Sequence, residues 1–220
     1  MNEHVVLTRD PASLSDRTFD VLVIGGGVHG LAIAYDAAQR GMSTALVERG
    51  DFGSGASFNH QKTAHGGLRS LQTGDVRRAR ESVRERRTLA RIAPRLLRPM
   101  PFLIGTYRSL TRNRLALRLA FRLDRAIGHD RNQGVEPELR LPAPRLVSRG
   151  AAERLFRGIR KEGLTGGAMW YDYQIVETDR LTIGLALAAA SHGALLANHV
   201  EAVSASRDGV RVSGARVRDR

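Results

Sequence analysis

The turn Gly25-Gly26-Gly27-Val28-His29-Gly30 constrains this chain more than any other feature. A Gly-x-Gly-x-x-Gly spacing alone is a weak signal, and its surroundings give it meaning. Phe19-Asp20-Val21-Leu22-Val23-Ile24 before it is a short, mostly apolar run suited to a buried parallel strand. Leu31 to Arg40 after it is alanine-rich and helical, and Gly41 stands where a helix C-cap glycine belongs. Ser43 to Val47 reads as a second buried strand ending at Glu48, about twenty residues beyond the motif. Together these make one βαβ unit of the kind that binds a dinucleotide. Gly25 permits the tight turn, Gly27 lets backbone N–H groups approach a pyrophosphate, and Gly30 lets helix and strand pack closely. Gly26 and Val28 complete the turn, and His29 reads as spacing and capping. Glu48 can accept hydrogen bonds from a ribose diol and would repel a 2′-phosphate, so FAD or NAD is favoured over NADP. The alternative is a glycine-rich turn in an α/β protein that holds no nucleotide.

Composition removes several other classes. With 42% apolar residues the chain can bury a core, and with no cysteine it has neither disulfides nor thiolate-held metals. No metal site is expected, and a cysteine-free chain suits a reducing cytoplasm. Residues 1–20 carry Glu3, Arg9, Asp10, Asp16, Arg17 and Asp20 without the apolar core of a secretory signal. The longest apolar stretch, Leu181 to Ala190, is far short of the roughly 20 residues needed to span a bilayer. These features predict a soluble or peripheral protein. The net charge of +13 raises nucleic acid or anionic lipid as partners, against the plainer alternative of a solvated arginine-rich surface. Aromatics, at 5%, are too sparse for stacking on single strands, so no nucleic acid partner is expected.

Further along, residues 49–75 are rich in Gly, Ser and Asn and predict a long functional loop. Val76 to about Leu97 is helical, with Val83, Leu89, Ile92 and Leu96 as an apolar seam beneath exposed arginines. Pro99, Pro101, Gly105 and Tyr107 break helicity, and Pro101 to Tyr107 reads as a strand. Arg112 to Ile127 is a second basic helix, 128–146 is irregular, Ser148 to Phe156 a short helix, and Gly166 to Tyr173 a strand. Asp179 to Ser191 is helical and capped by Gly193. Ala194 to Ala205 reads as one strand, followed by a turn at Asp208-Gly209 into Val210-Arg211-Val212.

The loop after the second strand runs Asp51-Phe52-Gly53-Ser54-Gly55-Ala56-Ser57, then Asn59-His60-Gln61-Lys62-Thr63-Ala64-His65-Gly66-Gly67-Leu68-Arg69. With the fingerprint and Glu48, Lys62 followed by His65-Gly66-Gly67-Leu68-Arg69 resembles the FAD-dependent glycerol-3-phosphate dehydrogenase family, among amino-acid-oxidase-like flavoproteins. Weaker similarity continues through Arg86 to Pro94 and Tyr171 to Arg180. The resemblance implies FAD as cofactor, held by Gly25, Gly26, Gly27, Val28, His29, Gly30, Glu48 and Arg49. It further implies that Ser57, Asn59, His60, Lys62, His65, Gly66 and Gly67 lie along the flavin, the paired glycines leaving room for a flat ring. Lys62 and Arg69 would be anion or flavin partners, since a cation near the pyrimidine end stabilises reduced flavin. His65 and Arg69 are the candidate catalytic residues. From the residues alone, His65 reads also as a turn histidine and Arg69 also as half of a structural ion pair. Two positions depart from the family: His60-Gln61 where serines are usual before the lysine, and Ser70 where a tyrosine usually follows the arginine.

The implied fold is α/β, a Rossmann-like FAD-binding domain with an α+β substrate or cap region, truncated relative to the family. Residues 1–18 would be a polar tail, 19–100 the first part of the FAD-binding domain, 101–176 the substrate or cap region, and 177–220 an incomplete return. The implied reaction is oxidation of a polyol phosphate, a small anionic substrate, with electrons passing to quinone or another acceptor. Peripheral attachment to the inner face of the cell membrane, through an anionic lipid surface, goes with it. The alternatives are a flavin-dependent amine or amino-acid oxidase, and a basic nucleic-acid- or membrane-binding fragment without catalysis.

Overall fold

The computed structural model describes residues 6–15, 17–109 and 113–220, and of Arg69 and Gln72 the backbone alone. Glu3, Asp16 and Arg112 lie outside the described residues. The chain forms two compact units, one of residues 1–61 with 177–220 and the other of residues 62–176. Residues 62–100, grouped above with the nucleotide-binding part, belong to the second unit.

The first unit is built on a parallel sheet in which β1 (Val21–Ile24) and β7 (Leu195–Ala197) flank β2 (Thr44–Val47). Val21 pairs with Thr44, and Ala45 with Leu195. All four residues of β2 are buried, which is why it reads as an unbroken apolar run. Helices α1 (Val28–Gln39) and α6 (Thr178–Ser191) bring Leu31, Ala34, Ala38, Ala186 and Ala189 into one core with Val23, Leu46 and Leu196. The alanines at this interface let the two helix backbones approach closely. Gly41, at φ +82°, and Gly193, at φ +88°, end these helices as the sequence predicts.

The single strand expected over Ala194 to Ala205 is two strands, β7 and β8 (Val200–Asp208). His199, in the left-handed region at φ +53°, breaks it and turns the chain. Strand β8 then pairs with β9 (Arg211–Asp219) as an antiparallel hairpin. Its buried foot, Val200, joins Val47 and Ala197 in a small cluster that Leu14 and Val217 cover.

The second unit is an antiparallel sheet. Strand β6 (Leu164–Ile175) pairs on one side with β4 (Leu97–Tyr107) and on the other with β3 (Thr63–Ala64) and β5 (Arg145–Val147). Pro99 and Pro101 lie within β4, so the strand starts earlier than expected. An edge strand tolerates prolines whose missing N–H falls on its open side. Beside the sheet lie α2 (Leu68–Gln72), α3 (Val76–Ile92), α4 (Arg114–Ile127) and α5 (Arg149–Leu155). The side chains of Asp75, Asn113 and Ser148 cap the last three by accepting N–H bonds from Arg78, Ala116 and Ala151.

Helix α3 corrects the expected seam. Its buried residues are Ala79, Val83, Arg86 and Ala90, while Ile92 is exposed. The buried stripe is centred on an arginine because β6 presents a carboxylate to it. The loop expected over 49–75 also contains two short elements, β3 and α2.

Candidate functional site

In the first unit the glycine turn leaves β1 through Gly25, whose N–H donates to Val47 O at 2.8 Å. Gly25 sits at φ +108°, and a Cβ there would meet nothing within 4 Å, so the backbone geometry and not crowding demands glycine. Gly26 is confined by Phe52 and Glu48, against which a Cβ would lie at 2.7 and 2.8 Å. Gly30 is confined by the carbonyl oxygen of Gly25, the close helix–strand packing that the spacing predicts. Gly27 faces open space except for Ser57 Oγ, 3.1 Å from the position of a Cβ.

Glu48 ends β2 with its carboxylate accepting from Gly26 N–H at 2.6 Å and Gly50 N–H at 2.7 Å. A carboxylate has about four acceptor sites, so two remain for a ribose diol. The first N–H of α1, on Val28, donates to Ser57 Oγ at 2.8 Å. The N–H groups of His29 and Gly30 find no acceptor among the described residues. A helix N-terminus with two open N–H groups beside the uncrowded Gly25 and Gly27 is a cradle for an anion, and these residues fit the pyrophosphate and ribose of FAD.

Gly25, Gly26, Gly27, Val28, His29, Gly30, Glu48 and Ser57 are thus neighbours. Arg49 is exposed past the strand end, and Asn59 and His60 are exposed in the following loop, where Asn59 N–H donates to Gly55 O at 3.1 Å.

The second group lies wholly in the second unit. Lys62 adopts the left-handed region at φ +54°, uncommon for a residue with a side chain, and its carbonyl accepts from Ile175 N–H at 2.7 Å. Pairing of Ala64 with Tyr173 brings His65 opposite Asp172. His65 Nδ1 lies 3.3 Å from Asp172 Oδ2, and Gly66 N–H donates to Asp172 Oδ1 at 2.8 Å. Arg86 closes the cluster from α3 by donating to Asp172 Oδ1 and, at 3.2 Å, to Tyr171 O. Asp172 and Arg86 are 3% and 5% exposed, so this is a buried ion pair. Burial pushes the Arg86 guanidinium below its ordinary range, and the Asp172 carboxylate opposes that shift. On its outer side the His65 ring approaches Phe102, which stacks on Trp170 with centroids 5.4 Å apart.

The paired glycines have a reason different from the expected clearance for a ring. A Cβ on Gly66 would strike the Arg86 guanidinium, and one on Gly67 would lie 2.8 Å from Ala79 Cα, with Gly67 itself at φ +83°. They let the loop sit directly on α3. Arg69 belongs to α2, and its side chain lies outside the described residues. Asp172 and Arg86 escaped the sequence reading. Beyond their place in the weakly similar stretches Arg86 to Pro94 and Tyr171 to Arg180, their signals were an acid inside the apolar run 164–175 and an arginine at the helical spacing of Ala79, Val83 and Ala90. Among the described residues no three histidine, aspartate or glutamate side chains gather as a metal site, and no helix is long and apolar enough to cross a membrane.

Comparison with known proteins is consistent across sequence and structure. The family described as FAD dependent oxidoreductase matches residues 20–220. A glycerol-3-phosphate dehydrogenase from Mycobacterium leprae is 39% identical over 203 residues, 91% of this chain and 33% of the relative. Among solved structures, glycerol-3-phosphate dehydrogenase from Bacillus halodurans, complexed with FAD, superposes with a TM-score of 0.63 at 25% identity. It is covered over 94% of this chain and 32% of its own. The L-α-glycerophosphate oxidase from Mycoplasma pneumoniae, also with FAD bound, gives 0.60 at 20% identity over 87% and 47%, a likeness of fold. This chain spans about a third of the length of the curated relatives it matches.

Proposed function

This chain belongs to the family of FAD dependent oxidoreductases, and from that premise we propose that it serves the oxidation of a small polyol phosphate such as glycerol 3-phosphate. The substrate class follows the names of its relatives. The observation that carries the flavin half is the N-terminus of α1, with its two open N–H groups, beside Glu48. Bound FAD supplies the hydride acceptor and the route by which electrons leave toward quinone or another acceptor. The protein's part is to hold and to move protons. Gly25 to Gly30 receive the pyrophosphate, Glu48 the ribose, and His65 accepts the proton of the substrate hydroxyl as the C–H bond is oxidised. Lys62 and Arg69 supply positive charge, to reduced flavin and to the substrate phosphate respectively. Asn59 and His60 serve the flavin from the loop after Glu48 and Arg49, while Gly66 and Gly67 seat His65 by letting its loop pack on α3.

The test is an absorption spectrum of the purified protein, followed by turnover with an artificial electron acceptor. Flavin bands near about 370 and 450 nm, with reduction by glycerol 3-phosphate and not by amino acids, are expected. Reduction by amines or amino acids alone would transfer the protein to the amino-acid-oxidase branch.

One further surface favours attachment at the inner face of the cell membrane. Helix α4 exposes Leu115, Leu119 and Leu123 at four-residue intervals, with exposed Arg118, Arg122 and Arg125 alongside. Leucines beside arginines form the pattern of a helix that lies in an anionic lipid interface.

A further inference from the structure

We propose that Asp172 is a positioning residue that sets which ring nitrogen of His65 carries the proton, leaving Nε2 bare as the accepting atom; this rests on the role given to His65 above. An ionised carboxylate has no hydrogen to give. The 3.3 Å contact between His65 Nδ1 and Asp172 Oδ2 therefore requires that Nδ1 be the protonated atom. In the neutral ring Nε2 is then the only acceptor.

The carboxylate cannot turn away from this task. Its other oxygen is held by Gly66 N–H at 2.8 Å and by the Arg86 guanidinium. Asp172 is 3% exposed, while the His65 side chain is 61% exposed. The acid is the buried end of the pair and the ring its open end. Arg86 offsets the charge of Asp172, so what reaches His65 is a directional acceptor more than a net field. The same logic governs the acid–histidine pair of serine proteases, where an amide in place of the acid produces the wrong tautomer.

Asp172→Asn makes the consequence explicit. The two donors already facing Oδ1, Gly66 N–H and Arg86, keep the amide oxygen on their side. The amide NH2 then faces Nδ1, which must accept, and the ring proton moves to Nε2. The substitution inverts the tautomer while keeping every heavy atom in place.

The experiment is a long-range proton–nitrogen correlation spectrum of the nitrogen-15-labelled protein, with His65 assigned by comparison with His65→Gln. At a pH where the ring is neutral, the parent should show a pyrrole-like Nδ1 and a pyridine-like Nε2, and Asp172→Asn the reverse. Turnover of the flavin-loaded variant should fall about 10²-fold or more, the size of a general-base contribution, with flavin content unchanged. If Asp172→Asn does not fold because Arg86 is stranded, Arg86→Gln with Asp172→Asn carries the same inversion, since Gly66 N–H still orients the amide. A parent His65 protonated on Nε2, or a tautomer unchanged in both variants, overturns the proposal. Inversion with undiminished turnover supports the positioning and removes His65 as the base.

Discussion

The glycines of the nucleotide turn look alike in sequence, yet different things forbid a side chain at each. At Gly30 the obstacle is the protein's own backbone, the carbonyl of Gly25. At Gly27 the backbone is ordinary, at φ −76°, and only Ser57 Oγ is near. Gly30→Val should therefore destabilise by about 1–3 kcal/mol through overpacking, lowering the melting temperature by about 2–4 °C per kcal/mol in a chain of this size. Gly27→Val should melt near the flavin-free parent and purify without flavin, because its side chain fills the pyrophosphate space. Thermal melts together with flavin absorbance separate the two, and a flavin-loaded Gly27→Val would remove the pyrophosphate from this turn. Both positions were legible in the sequence because the spacing that marks them runs within six consecutive residues, Gly25 to Gly30. Asp172 was not, since what gives it meaning is His65, 107 positions away.

Among the elements, α3 and α4 show how arginine-rich helices divide their charge between structure and surface. On α3, Arg80 and Arg87 both donate to Asp130, with Arg87 Nη1 2.5 Å from Oδ2. Hydrogen bonding to Arg80, supported by Arg87, holds the Asp130 carboxyl well below its ordinary range. A carboxylate depressed in the folded state stabilises fully above its unfolded pKa of about 3.9, and loses that effect as pH falls toward the folded value. Asp130→Asn should thus lower the melting temperature at pH 6, and the gap to the parent should shrink as the pH approaches 3. An equal gap at both values would show that the ionised carboxylate is not the source of the loss. Helix α4 spends its leucines outward, and Leu119→Glu should lower partitioning onto anionic liposomes about tenfold or more, since one buried leucine is worth about 1.5–3 kcal/mol. Unchanged co-sedimentation would detach this helix from the lipid surface. Helix positions were readable from periodicity, but the buried face of α3 was not. Pattern rules place apolar residues inward, and here an arginine goes in because a distant strand supplies its counter-charge.

Across the whole molecule, the unit that carries the glycine turn is assembled from two separate stretches, with β1 and β2 from residues before 61 and α6 and β7 from residues after 177. A ligand seated on such a unit stabilises the native state by mass action. FAD at about 100 times its Kd should add about 2.7 kcal/mol, a rise of roughly 5–10 °C in melting temperature. No shift with saturating FAD would mean that this chain does not hold the cofactor. The order of strands and helices was legible, but the grouping of 62–100 with 101–176 was not, since it depends on the pairing of β4 with β6 about seventy residues later. That second unit begins and ends as a paired ladder: Thr63 lies opposite Gln174, and Ile175 N–H bonds to the carbonyl of Lys62. Its two ends therefore leave side by side, about one interstrand spacing of 4.8 Å apart. One tight turn could bridge that gap. Residues 62–176 thus have the geometry of a cassette, an insert that leaves and re-enters the other unit at neighbouring points and can be lengthened or exchanged without altering the order of β1, β2 and β7.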